Sequence, residues 1–234
     1  MAARPASANS MTTTPATSTA FQDPEAEAFL WRRPGRLTAG EVFTEFAFLV
    51  PREQLLLYSL VFSFAPQRCL EVGVFQGGAT RIIHAALSDL GRGCLVGLDP
   101  DPKIKIDWQT VADRVTLIQG KSPDDLARAA EQAGGPFDFV FLDGDHGAAG
   151  VLADLEGLVG VTGPGAVLLL HDAYFAEIDR ALAAAREKGL PYVEGPILSS
   201  TANPTTDPAQ VVDVATGALA VWGGMRLVWR VEAR

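Results

Sequence analysis

Between Arg68 and Gly189, short and nearly continuous apolar runs alternate with stretches of helical amphipathicity. "RCLEVGVF" is followed by "GATRIIHAALSDLG", "CLVGLDP" by the Asp107–Arg114 region, and "VTLIQG" by "SPDDLARAAEQAGG". "FDFVFLDGD" precedes "GAAGVLADLEGLVG", and "GAVLLLHD" precedes "AEIDRALAAAREKG". A strand that is apolar throughout must be covered on both faces, and successive strands separated by helices form a parallel sheet. The pattern predicts an α/β domain with a doubly wound sheet and no internal repeat.

The flanks differ from this middle. Residues 1–20 are Ala, Ser, Thr and Pro with almost no large apolar side chain, a composition that cannot offset ordering entropy by burial, so a disordered tail is expected. Residues 21–66 form an N-terminal helical segment, with Pro51 suited to a first helical position ahead of "REQLLLYSLVFSFA". Its aromatics Phe43, Phe46, Phe48, Tyr58, Phe62 and Phe64 read as core, with a pocket lining or a dimer face as the alternatives. The main domain is placed at 67–234. After Leu190 the pattern loosens, 197–213 is long for a plain connection, and "ALAVWGGMRLVWRV" reads as a hairpin about Gly223 and Gly224.

Charge and cysteine use narrow the class of function. A net charge of −9 opposes a broad basic face, so neither nucleic acid nor an anionic membrane is the expected partner; a small molecule is. Cys69 and Cys94 read as free thiols of a reducing compartment, and the apolar runs fall short of the ~20 residues that span a bilayer. A cytoplasmic location is expected, and a homodimer on the general frequency of such assemblies.

In an open parallel sheet, ligands bind beyond the carboxyl ends of the strands, where the strand order reverses. Read together, those ends hold Glu71 and Gly73, then Asp99, then Gly120 to Ser122, then Asp143 to His146, and finally His171 and Asp172. "LEVGVFQGGAT" lets the backbone approach a ligand at Gly73 and Gly77. Phe75 stands where a dinucleotide fingerprint would have its second glycine, which counts against a dehydrogenase, and the Glu71 charge favours a cation over a pyrophosphate. Asp99 has the position of an acid that accepts from ribose hydroxyls. Together they point to an adenosyl ligand.

"CLEVGVFQGGAT", "LVGLDPD", "FDFVFLDGDH" and "GPGAVLLLHDAY", in this order over Arg68 to Tyr174, resemble the class I S-adenosylmethionine-dependent methyltransferases. The likeness is to the branch of small-molecule O-methyltransferases that act on catechols and macrolide sugars. It implies a seven-stranded Rossmann-like sheet whose last strand is antiparallel. It also implies a cofactor held along the Glu71–Gly78 turn, including Phe75, by Asp99 at the ribose and by Gly120 to Ser122 at the adenine. Metal-dependent members hold magnesium through an aspartate after the fourth strand and an acidic pair after the fifth. Those positions are Asp143 and the pair His171 and Asp172, where histidine departs from the pattern. Magnesium prefers oxygen ligands, whereas imidazole suits zinc, iron, nickel or manganese-like sites better.

Two routes remain open for the proton of the substrate hydroxyl: a divalent metal on Asp143 and Asp172, or a histidine base, His146 or His171. A metal-independent methyltransferase that acts on oxygen or nitrogen through a histidine base is the near alternative, and a protein that binds the cofactor without transferring methyl is the alternative from another class. Asp145 and Asp154 read as helix-cap and solvated positions, and His84 as structural.

Overall fold

The computed structural model describes residues 47–199, 203–204 and 221–232. The expected tail, most of the 21–66 segment with Phe43 and Phe46, and most of 197–213 lie outside the described residues.

Helix α1, Pro51–Phe64, opens where proline fits best, at a position that has no intrahelical use for an N–H. Glu53 closes its first turn by accepting from Val50 N at 3.2 Å. The chain then alternates through β1 (Arg68–Val72), α2 (Gly78–Leu90), β2 (Cys94–Asp99), β3 (Val115–Gln119), α3 (Leu126–Ala133), β4 (Phe137–Leu142), α4 (Ala148–Leu158), β5 (Thr162–Leu170), α5 (Ala176–Glu187) and β6 (Tyr192–Ile197). The short β7 (Asn203–Pro204) and β8 (Val221–Trp222) precede β9 (Arg226–Arg230).

Seven strands form one sheet in the order β3-β2-β1-β4-β5-β9-β6. β1 to β5 pair in parallel, and β9 runs antiparallel between β5 and β6. The seven-stranded, doubly wound expectation with an antiparallel last strand is thus met. Side chains alternate across the sheet as the pleat requires. Cys69, Leu95, Phe139, Phe141, Val167 and Leu169 pack with α1 and α2 on one face. Leu70, Val96, Val140, Leu142, Leu168 and Leu170 pack with α3, α4 and α5 on the other. An irregularity between Phe137 and Phe139 shifts the register against β5, and Phe137 joins the second face although its parity belongs to the first.

Two expectations are corrected. The Asp107–Arg114 region makes one 3-10 turn, Trp108–Thr110, and no α-helix. Asp107 accepts from Gln109 N at 3.1 Å and Thr110 Oγ1 donates to Asp107 O at 2.7 Å, local bonds that compete with a helical ladder. The hairpin about Gly223 and Gly224 is also absent: β8 pairs with β7, while β9 enters the main sheet. Cys69 and Cys94 are free, and burial pushes both thiols up from their ordinary pKa. Among the described residues, no helix is long and apolar enough to cross a membrane.

Candidate active site

The strand order reverses between β1 and β4, and the crevice there opens into a cavity of about 770 Å³. Its walls include Glu71, Gly73, Phe75, Asp99, Ser122, Asp143, His146, His171 and Asp172, so residues far apart in the chain meet at one sheet edge. Gly77 and Gly120 lie outside that lining and act on turn shape: Gly77 N donates to Val74 O, and Gly120 N to Asp99 O.

The β1–α2 turn is built to come close. Gly73 has φ +89°, and a Cβ there would stand 2.1 Å from the Asp143 carbonyl oxygen, so any side chain would force β1 and β4 apart at their ends. Asp99 fixes the turn from β2: its Oδ2 accepts from Val74 N at 2.9 Å and Phe75 N at 2.8 Å, and its Oδ1 from Asp101 N. This leaves Phe75 in the left-handed region, φ +46°, an uncommon state for a bulky residue and one found at ligand-facing turns. Its ring is 47% exposed and lies 5.2 Å, centroid to centroid, from that of Phe48, which is 60% exposed and also lines the cavity.

Glu71 sits under this turn, fully buried. Thr80 Oγ1 donates to its Oε2 at 2.6 Å, and its Oε1 has no protein partner among the described residues. Burial pushes its pKa up to about 8, with the Asp143 and Asp99 charges adding to the rise and the Thr80 bond opposing it.

The ends of β4 and β5 bring two carboxylates, Asp143 and Asp172, against two imidazoles, and Glu53 of α1 adds a third carboxylate. His171 Nδ1 lies 2.9 Å from Asp143 Oδ1 and 3.4 Å from Asp172 Oδ2, while its Nε2 faces Glu53 Oε2 at 3.4 Å. His146 Nε2 lies 2.9 Å from Asp172 Oδ2 and 3.4 Å from Asp143 Oδ1. Burial opposes protonation of both rings, but the carboxylates outweigh it: His146 rises to about 9, and His171, held chiefly by Asp143, well above its ordinary value. Asp143, Asp172 and Glu53 are held below the usual carboxylate range by the same pairings, against the pull of burial. The metal-capable trio gathered here is Asp143, His146 and Asp172, with one ligand atom of each within 4.8 Å of the others. His171, expected in such a set, has both ring nitrogens turned to carboxylates, one of them on α1.

Three contributions escape the sequence reading. Glu53, which nothing in the sequence singles out, accepts from Gly224 N at 2.7 Å and reaches His171. Gly223 N donates to Asp172 Oδ1 at 2.5 Å, so the segment read as a hairpin turn is a wall of the acid cluster. Asp172 itself has φ +51°, a state aspartate tolerates better than most residues. Asp154, read as solvated, is buried on α4 and lines the cavity. Asp145 matches its expectation in part, accepting from Gly147 N at the mouth of α4. His84 bonds Asp113 and Ser88 and does not line the cavity.

Residues 70–173 match a family described as a methyltransferase domain. A catechol O-methyltransferase of Mycobacterium tuberculosis is 31% identical over 148 residues, covering 58% of this chain and 64% of that protein. The chain therefore spans just under two thirds of that relative's length. The O-methyltransferase from Bacillus cereus in complex with SAH has a similar structure, with a TM-score of 0.58 at 20% identity, covering 90% of this chain and 93% of that one. So has the MycE methyltransferase of the mycinamycin biosynthetic pathway in complex with Mg and SAH, with a TM-score of 0.51 at 22% identity over 87% of this chain and 55% of that one. These structural likenesses concern the fold. With the family match, they bear out the resemblance to class I methyltransferases.

Proposed function

We propose that this chain, whose residues 70–173 match a methyltransferase domain, transfers the methyl group of S-adenosylmethionine to a hydroxyl of a small molecule. The observation that carries this reading is the continuity of one cavity from the Glu71–Gly73 turn to the Asp143, His146 and Asp172 cluster. A cofactor lying along that edge has its ammonium near the unpartnered oxygen of Glu71, its ribose at Asp99 and its sulfonium methyl turned toward the acids. The substrate oxygen attacks the methyl carbon, the carbon–sulfur bond breaks, S-adenosylhomocysteine leaves, and the hydroxyl proton passes to a base. Positioning of the two reactants supplies much of the rate.

His146 is the base this geometry favours. It stands at the cavity wall with its side chain 29% exposed, whereas His171 is 6% exposed and closed in by Asp143 and Glu53. His171 then acts by holding Asp143 in place. Two carboxylate oxygens and one imidazole nitrogen fit a divalent ion, with manganese or another transition metal better suited than magnesium. When bound, such an ion would take the His146 nitrogen as a ligand in place of its proton and would lower the pKa of a substrate hydroxyl, so the His146 base belongs to the metal-free route. The exposed Phe48 and Phe75 rings at the mouth favour an aromatic acceptor such as a phenol or catechol over a sugar.

The test is release of S-adenosylhomocysteine with a panel of phenols, catechols and glycosides, with chelator and then with magnesium or manganese restored. Turnover on at least one aromatic hydroxyl is expected, and a fall in rate with chelator would assign the metal route. Turnover that ignores chelator would assign the histidine route, and no turnover on any acceptor with any metal would contradict the reading.

A further inference from the structure

The acid cluster is backed by a carboxylate that stands outside the cavity lining. Glu53, in the first turn of α1, is 1% exposed and lies behind His171, which does line the cavity. Its two oxygens serve N–H groups from three parts of the chain. Oε1 accepts from Gly224 N at 2.7 Å, while Oε2 accepts from Val50 N at 3.2 Å and faces His171 Nε2 at 3.4 Å. An ionised carboxylate has lone pairs for all three and nothing to donate, whereas an amide would turn its own N–H groups on one of them. Closing the first turn of α1 needs only the Val50 bond. The other two contacts, 118 and 171 residues away in the chain, call for another reason.

We infer that Glu53 is a positioning residue for methyl transfer: it fixes the His171 ring, which in turn fixes the Asp143 carboxylate beside His146. The inference rests on the reading above, in which Asp143, His146 and Asp172 face the substrate hydroxyl. The line of contacts is continuous, since His171 Nδ1 lies 2.9 Å from Asp143 Oδ1 and that same oxygen lies 3.4 Å from His146 Nε2. An imidazole held at one nitrogen alone can still tilt about its side-chain bonds. Held at both, by Asp143 after β4 and by Glu53 of α1, and set 6.1 Å, centroid to centroid, from the Phe141 ring, His171 is locked as a supporting group must be. The departure from the expected acidic pair then has a physical reason. A carboxylate at position 171 would meet Glu53, Asp143 and Asp172 with no N–H between them, whereas imidazole brings a nitrogen to each side. Glu53 also ties the cluster to the acceptor-side wall: Val50 follows Ala47, Phe48 and Leu49, all of which line the cavity. The neighbouring Gln54 Nε2 donates to Leu49 O at 2.8 Å, so that wall and the acid cluster share one anchor on α1.

The chain has three histidines, so the ring signals of His84, His146 and His171 can each be assigned by single substitution. Nuclear magnetic resonance of the chelator-treated full chain compares wild type with Glu53→Gln, and repeats the comparison in a His171→Ala background. Glu53→Gln should move the His171 and His146 signals and leave in place that of His84, which lies outside the cavity lining. With His171→Ala present, it should no longer move His146. A role confined to closing the turn of α1 predicts no movement of His146, and a movement that survives His171→Ala would run through Gly224 and Asp172; either result would overturn the inference. On an acceptor from the panel above, kcat of Glu53→Gln should be lower by about 10- to 100-fold, as for other partners that orient a working side chain from behind, with the affinity for S-adenosylhomocysteine unchanged. Equal losses in rate and affinity would mean general damage to the site and overturn it too. If Glu53→Gln does not fold, wild type decides alone: a slowly exchanging proton on His171 Nε2 is expected, and a nitrogen without one would overturn the inference. A wild type that binds no S-adenosylhomocysteine would overturn the cofactor reading while the histidine spectra still decide the role of Glu53, which tells the two failures apart.

Discussion

At the scale of single residues, the site is a set of acids whose charges are set by their neighbours. Glu71 gives the sharpest consequence. Its carboxyl holds a proton to about pH 8 in the folded chain, against an ordinary value near 4.5, so between these limits the folded state binds more protons than the unfolded one. Stability from this group is therefore complete at low pH and falls as pH rises through that window, by at most ~1.4 kcal/mol per pH unit. Glu71→Gln keeps the neutral form throughout. Urea unfolding across this range should show the variant gaining on wild type as pH rises to about 8 and no further; a pH-independent difference would mean that Glu71 is ionised in the fold. Asp143 and the His171–Asp172 pair were legible in the sequence because they close apolar runs, where a charge is unexpected, and His146 because it follows Asp143 in the same loop. Glu53 and Asp154 were not, because an acid in the first turn of a helix, or at one position of an amphipathic one, has the look of a cap or a solvated side chain. Only the packing of α1 and α4 over the strand ends reveals what they face.

At the scale of elements, the five parallel strands and the helices after four of them could be read from run length and periodicity, since a strand covered on both faces leaves a continuous apolar signature. What failed was local turn chemistry applied to non-local partners. Gly223 and Gly224 have positive φ, as a hairpin turn would need, but β9 is drawn between β5 and β6. The two glycines instead run beside Ala173 and Tyr174, whose N–H groups donate to Gly224 O and Gly223 O. This pairing explains why Gly224 is glycine: at φ +84° a Cβ would stand 2.6 Å from the Tyr174 ring. Gly224→Ala should cost about 1–3 kcal/mol of stability through that strain. By displacing the N–H groups that hold Glu53 and Asp172, it should also weaken metal affinity more than cofactor affinity. Unfolding curves and separate titrations check this, and a variant as stable as wild type would show that the segment yields freely and does not fix the acid cluster.

At the scale of the whole molecule, the sheet brings a glycine turn and an acid–histidine cluster to the two sides of one switch point, and the cavity joins them. Doubly wound architecture was readable from the alternation alone, while the adenosyl ligand needed the particular residues at the strand ends, since the architecture by itself serves many functions. The substrate's identity was not readable, because the walls that would select it, Phe48 and its neighbours, come from a segment whose pattern shows only that it is apolar. The central claim is that this cavity is an S-adenosylmethionine site, and the most direct measurement is calorimetric titration of the chelator-treated protein with S-adenosylhomocysteine, repeated with magnesium and then manganese. Micromolar binding is predicted, strengthened or altered in enthalpy by manganese more than by magnesium. No binding under any of these conditions would contradict the account and leave the Glu71–Gly78 segment a turn without a ligand.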